Sequence, residues 1–154
     1  MKRLVFLIFA LWPINVLAEP LTGYHWQGDA AGLEPSRLLE VAKDESQPPY
    51  IRARASHALT AFPSDEVFSL YLSQMDSDTG HVRRRAVDNL CEAFAGTDRD
   101  LVSVLAPLVR EADPNLRLRA GLCLKRLDSV VASELVDDYV DNAATDWEVR
   151  RMTP

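Results

Sequence analysis

From residue 34 onward, apolar residues recur every three or four positions in successive short segments, the spacing of amphipathic α-helices. Pro, Gly, Asp and Asn separate these segments and predict turns. The order is helix, turn, helix, repeated, and in each repeat we call the first helix A and the second B. The A helices are predicted at 35–44, 65–75, 98–110 and 129–141, and the B helices at 49–61, 81–95, 114–127 and 146–152. The pattern predicts an all-α fold, a short α-solenoid of about three and a half stacked antiparallel helix pairs.

The start of each B helix carries the same short sequence motif, in which an aliphatic residue is followed directly by arginine. In the first three copies, alanine lies three positions after that arginine. The aliphatic positions are Ile51, Val82, Leu116 and Val149, so the motif recurs at nearly constant intervals. A regular period of this kind is typical of repeat proteins, in which each unit buries its apolar face against its neighbours. Residues 34–154 are therefore predicted to form one repeat domain, in which single units are unstable alone.

Two turns carry helix-start signals. Asp113 precedes Pro114, which puts a hydrogen-bond acceptor at the N-cap and proline in the first turn, and Thr145 lies three positions before Glu148 in the form of a capping box. These signals set helix boundaries and do not indicate a function.

The Asp/Pro-rich turn followed by aliphatic-Arg-x-x-Ala resembles HEAT-like repeats, particularly the short repeats of phycobilisome-lyase-type proteins. Pro107 inside the third A helix strengthens the resemblance, because HEAT A helices are often bent at a proline. The signatures of tetratricopeptide and ankyrin repeats are absent. The fourth unit departs from the family, since its B helix is cut short near Pro154, which fits either a designed cap or a truncation.

The resemblance also implies a role for the arginine after the aliphatic residue, found at Arg52, Arg83, Arg117 and Arg150. In HEAT-like families this arginine joins a ladder between repeats with acidic residues of the turns, and a planar guanidinium suits that role. Ligand contact is the alternative. The candidate acids are Asp76, Asp78, Glu111, Asp113 and Asp146.

At 100° per residue, the repeated aliphatic position and the residues four and eight further on share one arc of each B helix. That arc, which includes Leu90 and Leu124, is predicted to be buried, and Ala55, Ala86 and Ala120 are predicted to let the A and B helices approach closely. The opposite arc is basic and partly apolar, and we call its candidate binding residues the B-face strip. The strip consists of Arg54, His57, Arg84, Arg85, Leu118, Arg119, Leu122, Lys125, Arg126 and Arg151. A merely solvated helix face is the alternative interpretation.

The two cysteines, Cys91 and Cys123, are predicted on opposite flanks of neighbouring B helices. Because neighbouring helices present opposite flanks to each other, an inter-repeat disulfide is possible in an oxidising compartment. Two separate buried thiols are equally compatible with the sequence, since angular position does not fix the Cα separation.

The segment 1–18 has the form of a secretory signal peptide, with Lys2 and Arg3 before an apolar run and small or aliphatic residues before Glu19. A transmembrane anchor is the competing interpretation, but the apolar run that ends at Ala18 is interrupted by Pro13 and falls short of the ~20 residues that span a bilayer. We predict cleavage after Ala18, a periplasmic or secreted location, and an irregular arm at 19–33.

Without Lys2 and Arg3, 15 Lys and Arg face 23 Asp and Glu, a net charge of −8, which argues against nucleic-acid binding. His25, His57 and His81 lack the spacing of metal ligands, and no phosphate loop or catalytic motif is present, so we expect neither a metal nor a cofactor. We expect an exported, non-catalytic scaffold that binds an acidic polypeptide on the B-face strip. A lyase-like accessory enzyme, as the resemblance implies, and a small structural or inhibitory protein acting through its arm are the alternatives.

Overall fold

The computed structural model describes residues 33–153, and all regular structure in that range is helical. The predicted signal peptide, nearly all of the predicted arm and Pro154 lie outside the described residues. The α-helices are α1 (Pro35–Lys43), α2 (Pro49–Ala58), α3 (Asp65–Met75), α4 (Gly80–Phe94), α5 (Leu101–Leu105), α6 (Pro114–Leu124), α7 (Val130–Asn142) and α8 (Asp146–Met152). Short 3₁₀ helices extend α2 over Leu59–Ala61 and follow α5 over Leu108–Arg110. None of the helices within 33–153 has the length and apolar composition needed to cross a bilayer.

Polar side chains fix the starts of several helices. The side chains of Ser64, Asp100 and Ser129 each accept a hydrogen bond from a backbone N–H of the first turn that follows. The two predicted caps are also present: Asp113 accepts from the N–H of Asn115, and Glu148 accepts from the N–H of Thr145. A cap of this kind contributes about 1 kcal/mol to helix stability.

The third A helix is broken, although the sequence predicted one helix over 98–110. It begins at Leu101, because Asp100 is its N-cap, and its α-helical part ends at Leu105. Pro107 follows and has no N–H to donate to the carbonyl of Ser103, so the α-helix cannot continue through it. The chain resumes as the 3₁₀ helix Leu108–Arg110, which buries Leu108 and Val109.

Helices neighbouring in sequence pack as pairs, α1 with α2 and α3 with α4, and the B helices of successive pairs also contact each other. The predicted buried arc is confirmed, since Ala55, Ala86, Ala120 and Leu90 have no exposed surface and Leu124 is 1% exposed. These residues belong to one apolar core that runs through the described chain.

The close approach of α6 to α7 depends on Gly121. A Cβ atom at this position would lie 2.9 Å from Cε1 of Tyr139 and 3.1 Å from Cε of Met152. These distances are shorter than ordinary carbon contacts. The end of the Met152 side chain can move aside, but the Tyr139 ring is buried, so a larger residue at position 121 would push α7 away from α6. The absence of a side chain at Gly121 therefore sets the spacing of α6 and α7.

One member of the B-face strip is wrongly placed by the helical-angle prediction. Leu118 was predicted on the exposed arc but is only 7% exposed and belongs to the apolar core. The reason is that α6 contacts both α4 and α8, so less of its circumference reaches solvent than the angular argument assumed.

Candidate functional site

A groove of about 480 Å³ lies between α4, α6 and α8. Half of the B-face strip lines it: Leu118, Arg119, Leu122, Arg126 and Arg151. Leu122 is 39% exposed, whereas Leu118 is buried, so the apolar part of the lining has both a floor and an accessible edge. Trp147, at the start of α8, adds an aromatic wall. The groove therefore combines cations with apolar surface from three helices.

The spacing of residues along α6 explains this convergence. Arg119 and Leu122 are three positions apart, and Arg126 follows four positions later in the turn after α6. Residues at these intervals lie above one another on one side of a helix. Arg151 comes from α8, which packs against α6.

A disulfide joins the two helices at the groove. Cys91 of α4 is bonded to Cys123 of α6 with a Cα–Cα distance of 5.7 Å, and both residues line the groove. Of the two states that the sequence left open, the structure contains the bonded one. The two cysteines lie 32 positions apart in the sequence, and a cross-link that closes a loop of that length stabilises a fold by about 3–4 kcal/mol. It also holds α4 and α6 at a fixed distance.

Both carboxylates in the lining already have partners within the protein. Asp88 of α4 forms an ion pair with Arg119 of α6, so this pair crosses from one wall to the other. Glu92 accepts a hydrogen bond from the hydroxyl of Thr60 at 3.3 Å and lies 3.8 Å from Nδ1 of His57. The lining holds three arginines against two carboxylates, so its net charge is 3 − 2 = +1.

The remaining strip residues do not line this groove. His57 lies 3.2 Å from the side-chain oxygen of Asn89, and Lys125 donates to the backbone oxygen of Met152. Arg54 is exposed on α2, and Arg85 lines a different cavity. The single B-face surface predicted from the sequence is therefore divided.

Arg84, also predicted to bind a partner, is engaged within the fold. Its guanidinium donates to the carboxylate of Asp113 at 2.8 Å. Partial burial raises the pKa of the Asp113 carboxyl, but hydrogen bonds from Arg84 and the N–H of Asn115 outweigh that effect and hold this pKa below its ordinary value. Arg84 thus connects α4 to the turn before α6.

Two of the four repeated arginines bridge successive units. Arg83 donates from Nε to the backbone oxygen of Met75 at 2.9 Å and from Nη2 to Glu111 at 2.9 Å. Arg117 donates to the backbone oxygen of Glu111 at 2.7 Å and to the carboxylate of Glu148. Each guanidinium therefore holds the preceding turn and an acid of the next unit.

Sequence reasoning identified Glu148 only as part of a capping box and missed its central position. Its side chain has no exposed surface and accepts hydrogen bonds from Arg117, Thr145 and the hydroxyl of Tyr139, the last at 2.7 Å. Burial raises the pKa of this carboxyl, but the hydrogen bonds from Tyr139, Thr145 and Arg117 dominate and lower it to about 2. The sequence feature that could have indicated this pairing is the distance between Glu148 and Arg117 along the chain, which is close to the length of one repeat.

A second cavity, of about 380 Å³, lies between the α1–α2 pair and the α3–α4 pair. Arg52, Arg85 and His81 line it, together with hydroxyl and amide side chains. Its floor includes the buried Ser56, which donates to Gln74 at 2.9 Å and accepts from Asn89 at 3.3 Å. This polar cavity is separate from the groove between α4, α6 and α8.

Comparison of the chain with protein-family models, with curated proteins and with solved structures finds no match. The functional argument therefore rests on the geometry described above.

Proposed function

We propose that this protein is an exported, non-catalytic binding module whose groove between α4, α6 and α8 holds an acidic, partly apolar polypeptide segment. We further propose that its all-helical fold is a short solenoid of HEAT-like helix pairs. The recurrence of bridging arginines at equivalent repeat positions, Arg83 and Arg117, supports this interpretation of the fold. The disulfide supports export, because such bonds persist mainly in oxidising compartments.

The observation that carries the proposal is the composition of the groove. Arg126 and Arg151 are exposed cations in its lining, and its two carboxylates already pair with other residues. Guanidinium groups bind carboxylates through directed, bidentate hydrogen bonds. An acidic segment would therefore gain contacts here that a basic or neutral segment would not.

The apolar lining argues for a polypeptide with apolar side chains between its acids. Leu118, Leu122 and Trp147 lie among the arginines, and aromatic and arginine residues are typical of the centres of protein interfaces. Burying such side chains supplies affinity, while the charge complementarity supplies specificity and speeds association. The disulfide beneath the groove holds two of its helices in place, which reduces the entropic cost of binding.

The direct test uses short fluorescently labelled peptides that alternate Glu with Leu, and measures binding by fluorescence anisotropy. The Glu–Leu peptide should bind, its affinity should fall as salt rises, and a Lys–Leu peptide should not bind. The double substitution Arg126→Glu and Arg151→Glu should abolish binding without altering the melting temperature.

A matched control is the substitution Arg150→Glu, since Arg150 is an exposed arginine beside Arg151 that does not line the groove. It should leave binding of the Glu–Leu peptide nearly unchanged. Equal loss of binding in the control, or equal binding of the two peptides, would show that the groove is not the site. Arg84 and Arg119 are unsuitable for this test, because reversing either would place two acids together in an existing ion pair.

A further inference from the structure

Within residues 33–153, the two arginine–carboxylate pairs that join the second and third units have no counterparts between the first and second units. Between the second and third units, Arg83 pairs with Glu111 and Arg84 pairs with Asp113. Glu111 and Asp113 lie six and four positions before Arg117. The same distances before Arg83 lead to Ser77 and Thr79, neither of which can supply a carboxylate.

The basic side of the first step is altered as well. Arg52 stands at the position of Arg83, but Ala53 replaces Arg84. The Nε atom of Arg52 is buried and has no hydrogen-bond partner among residues 33–153. Leaving a buried charged donor unsatisfied costs free energy, so such a group needs an explanation.

All four residues of this altered step, Arg52, Ala53, Ser77 and Thr79, line the cavity between the first two helix pairs. The cavity is therefore found where the bridging acids of the later step have been replaced by small, uncharged residues. Its volume of about 380 Å³ exceeds that of a single carboxylate group. The loss of the acids leaves both room and an unsatisfied arginine.

Other lining groups favour an anion. Arg85 and Lys43 contribute two further cations to the lining, and His81 contributes an imidazole. Glu45 is the single acid of the lining. Thr79 is the N-cap residue of α4, a helix of 15 residues whose amino terminus carries a partial positive charge. Ser77, whose hydroxyl oxygen accepts from the N–H of Thr79, still has its hydroxyl proton to donate.

We infer that this cavity is a binding site for a small carboxylate. The ligand pairs with Arg52 in the way that the carboxylate of Glu111 pairs with Arg83. The later arginines of the repeat, Arg83 and Arg117, take carboxylates, and this favours a carboxylate over a phosphate. The additional volume and the second cation, Arg85, favour a dicarboxylate such as succinate over acetate. The site is separate from the groove proposed to bind a polypeptide, and does not depend on that proposal.

The test is an NMR titration of the isotope-labelled full-length chain with succinate, acetate and inorganic phosphate in turn. Succinate should shift backbone amide signals around Arg52, Ser77 and Thr79 saturably, with acetate and phosphate binding more weakly. Arg52→Gln should weaken succinate binding by at least about tenfold, the loss expected for a charge-assisted hydrogen bond. Arg150→Gln, at the same repeat position in the last unit, should not.

A second variant keeps the inference testable if Arg52→Gln fails to fold. Ser77→Glu restores the acid found at Glu111, so it should pair with Arg52 and abolish succinate binding, whereas Ser133→Glu on the exposed face of α7 should not. Absence of saturable shifts, shifts that persist in both cavity variants, or phosphate binding as tight as succinate binding would overturn the inference.

To identify the source of the carboxylate, a tripeptide with a free carboxyl terminus is compared with its amide. Tighter binding of the free tripeptide than of succinate would assign the carboxylate to a chain end.

Discussion

Arg117 donates to both carboxylate oxygens of Glu148, at 3.2 and 3.0 Å. The carboxylate is fully buried and the arginine side chain is only 13% exposed. This bidentate pair connects the third and fourth units and anchors α8, which carries Trp147 and Arg151 of the groove. The integrity of the proposed binding site therefore depends on a contact beneath it.

Replacing Glu148 with Gln should lower the free energy of unfolding by about 3–5 kcal/mol, because it leaves Arg117 largely buried without its counter-charge. Chemical denaturation followed by circular dichroism measures this loss. Glu134→Gln on the exposed face of α7 is the control and should change stability by less than about 0.5 kcal/mol. Similar small effects of the two substitutions would contradict the assigned role of Glu148.

The same carboxylate should make stability depend on pH in the acid range. Its pKa is about 2 in the folded protein and 4.5 ordinarily, so the folded state favours the ionised form. The resulting stabilisation, about 3 kcal/mol, is complete above about pH 5 and is lost as pH falls towards 2. Denaturation curves across this range should show the loss, and Glu148→Gln should reduce it. An unchanged pH profile in the variant would show that other carboxylates cause it.

Reducing the Cys91–Cys123 bond should destabilise the protein without unfolding it completely. The loop model gives a loss of about 3–4 kcal/mol, and Cys91→Ser with Cys123→Ser should reproduce it. The measurement is the denaturation midpoint with and without reductant. Before reduction, the denatured protein should not react with a thiol-specific reagent, and immediate reaction of both cysteines would mean that the bond does not form.

The core assignment predicts different costs for two leucines of α6. Leu124→Ala should lose about 2–5 kcal/mol, because its side chain is 1% exposed and truncation leaves a cavity. Leu122→Ala should cost far less, since this side chain is 39% exposed at the edge of the groove. Thermal unfolding distinguishes the two, and equal effects would show that the helix face is rotated.

Much of the secondary structure could be predicted from the sequence, because local signals determine it. The bounds of α3 and α8 match the predicted helices, and the start of α6 follows from Asp113 and Pro114. The third A helix could not be placed correctly from apolar spacing alone. Asp100 delays its start and Pro107 divides it, and both effects override the periodic pattern.

The candidate site was predicted less completely, because angular position on one helix says nothing about its neighbours. Leu118 is buried where exposure was predicted, and Arg84 bonds to Asp113 instead of remaining free on the surface. Such outcomes depend on the distances between helices. One part of that spacing comes from Gly121, whose significance is visible only when Tyr139 is seen against it.

The measurement that tests the proposed function most directly is an NMR titration of the labelled full-length chain with the Glu–Leu peptide. We predict saturable shifts confined to α4, α6 and α8, including the indole N–H signal of Trp147. The Lys–Leu peptide should cause none, and Arg126→Glu with Arg151→Glu should eliminate them. No shifts, or shifts concentrated on α3 and α7 with Trp147 unaffected, would contradict the proposal that this groove binds an acidic polypeptide.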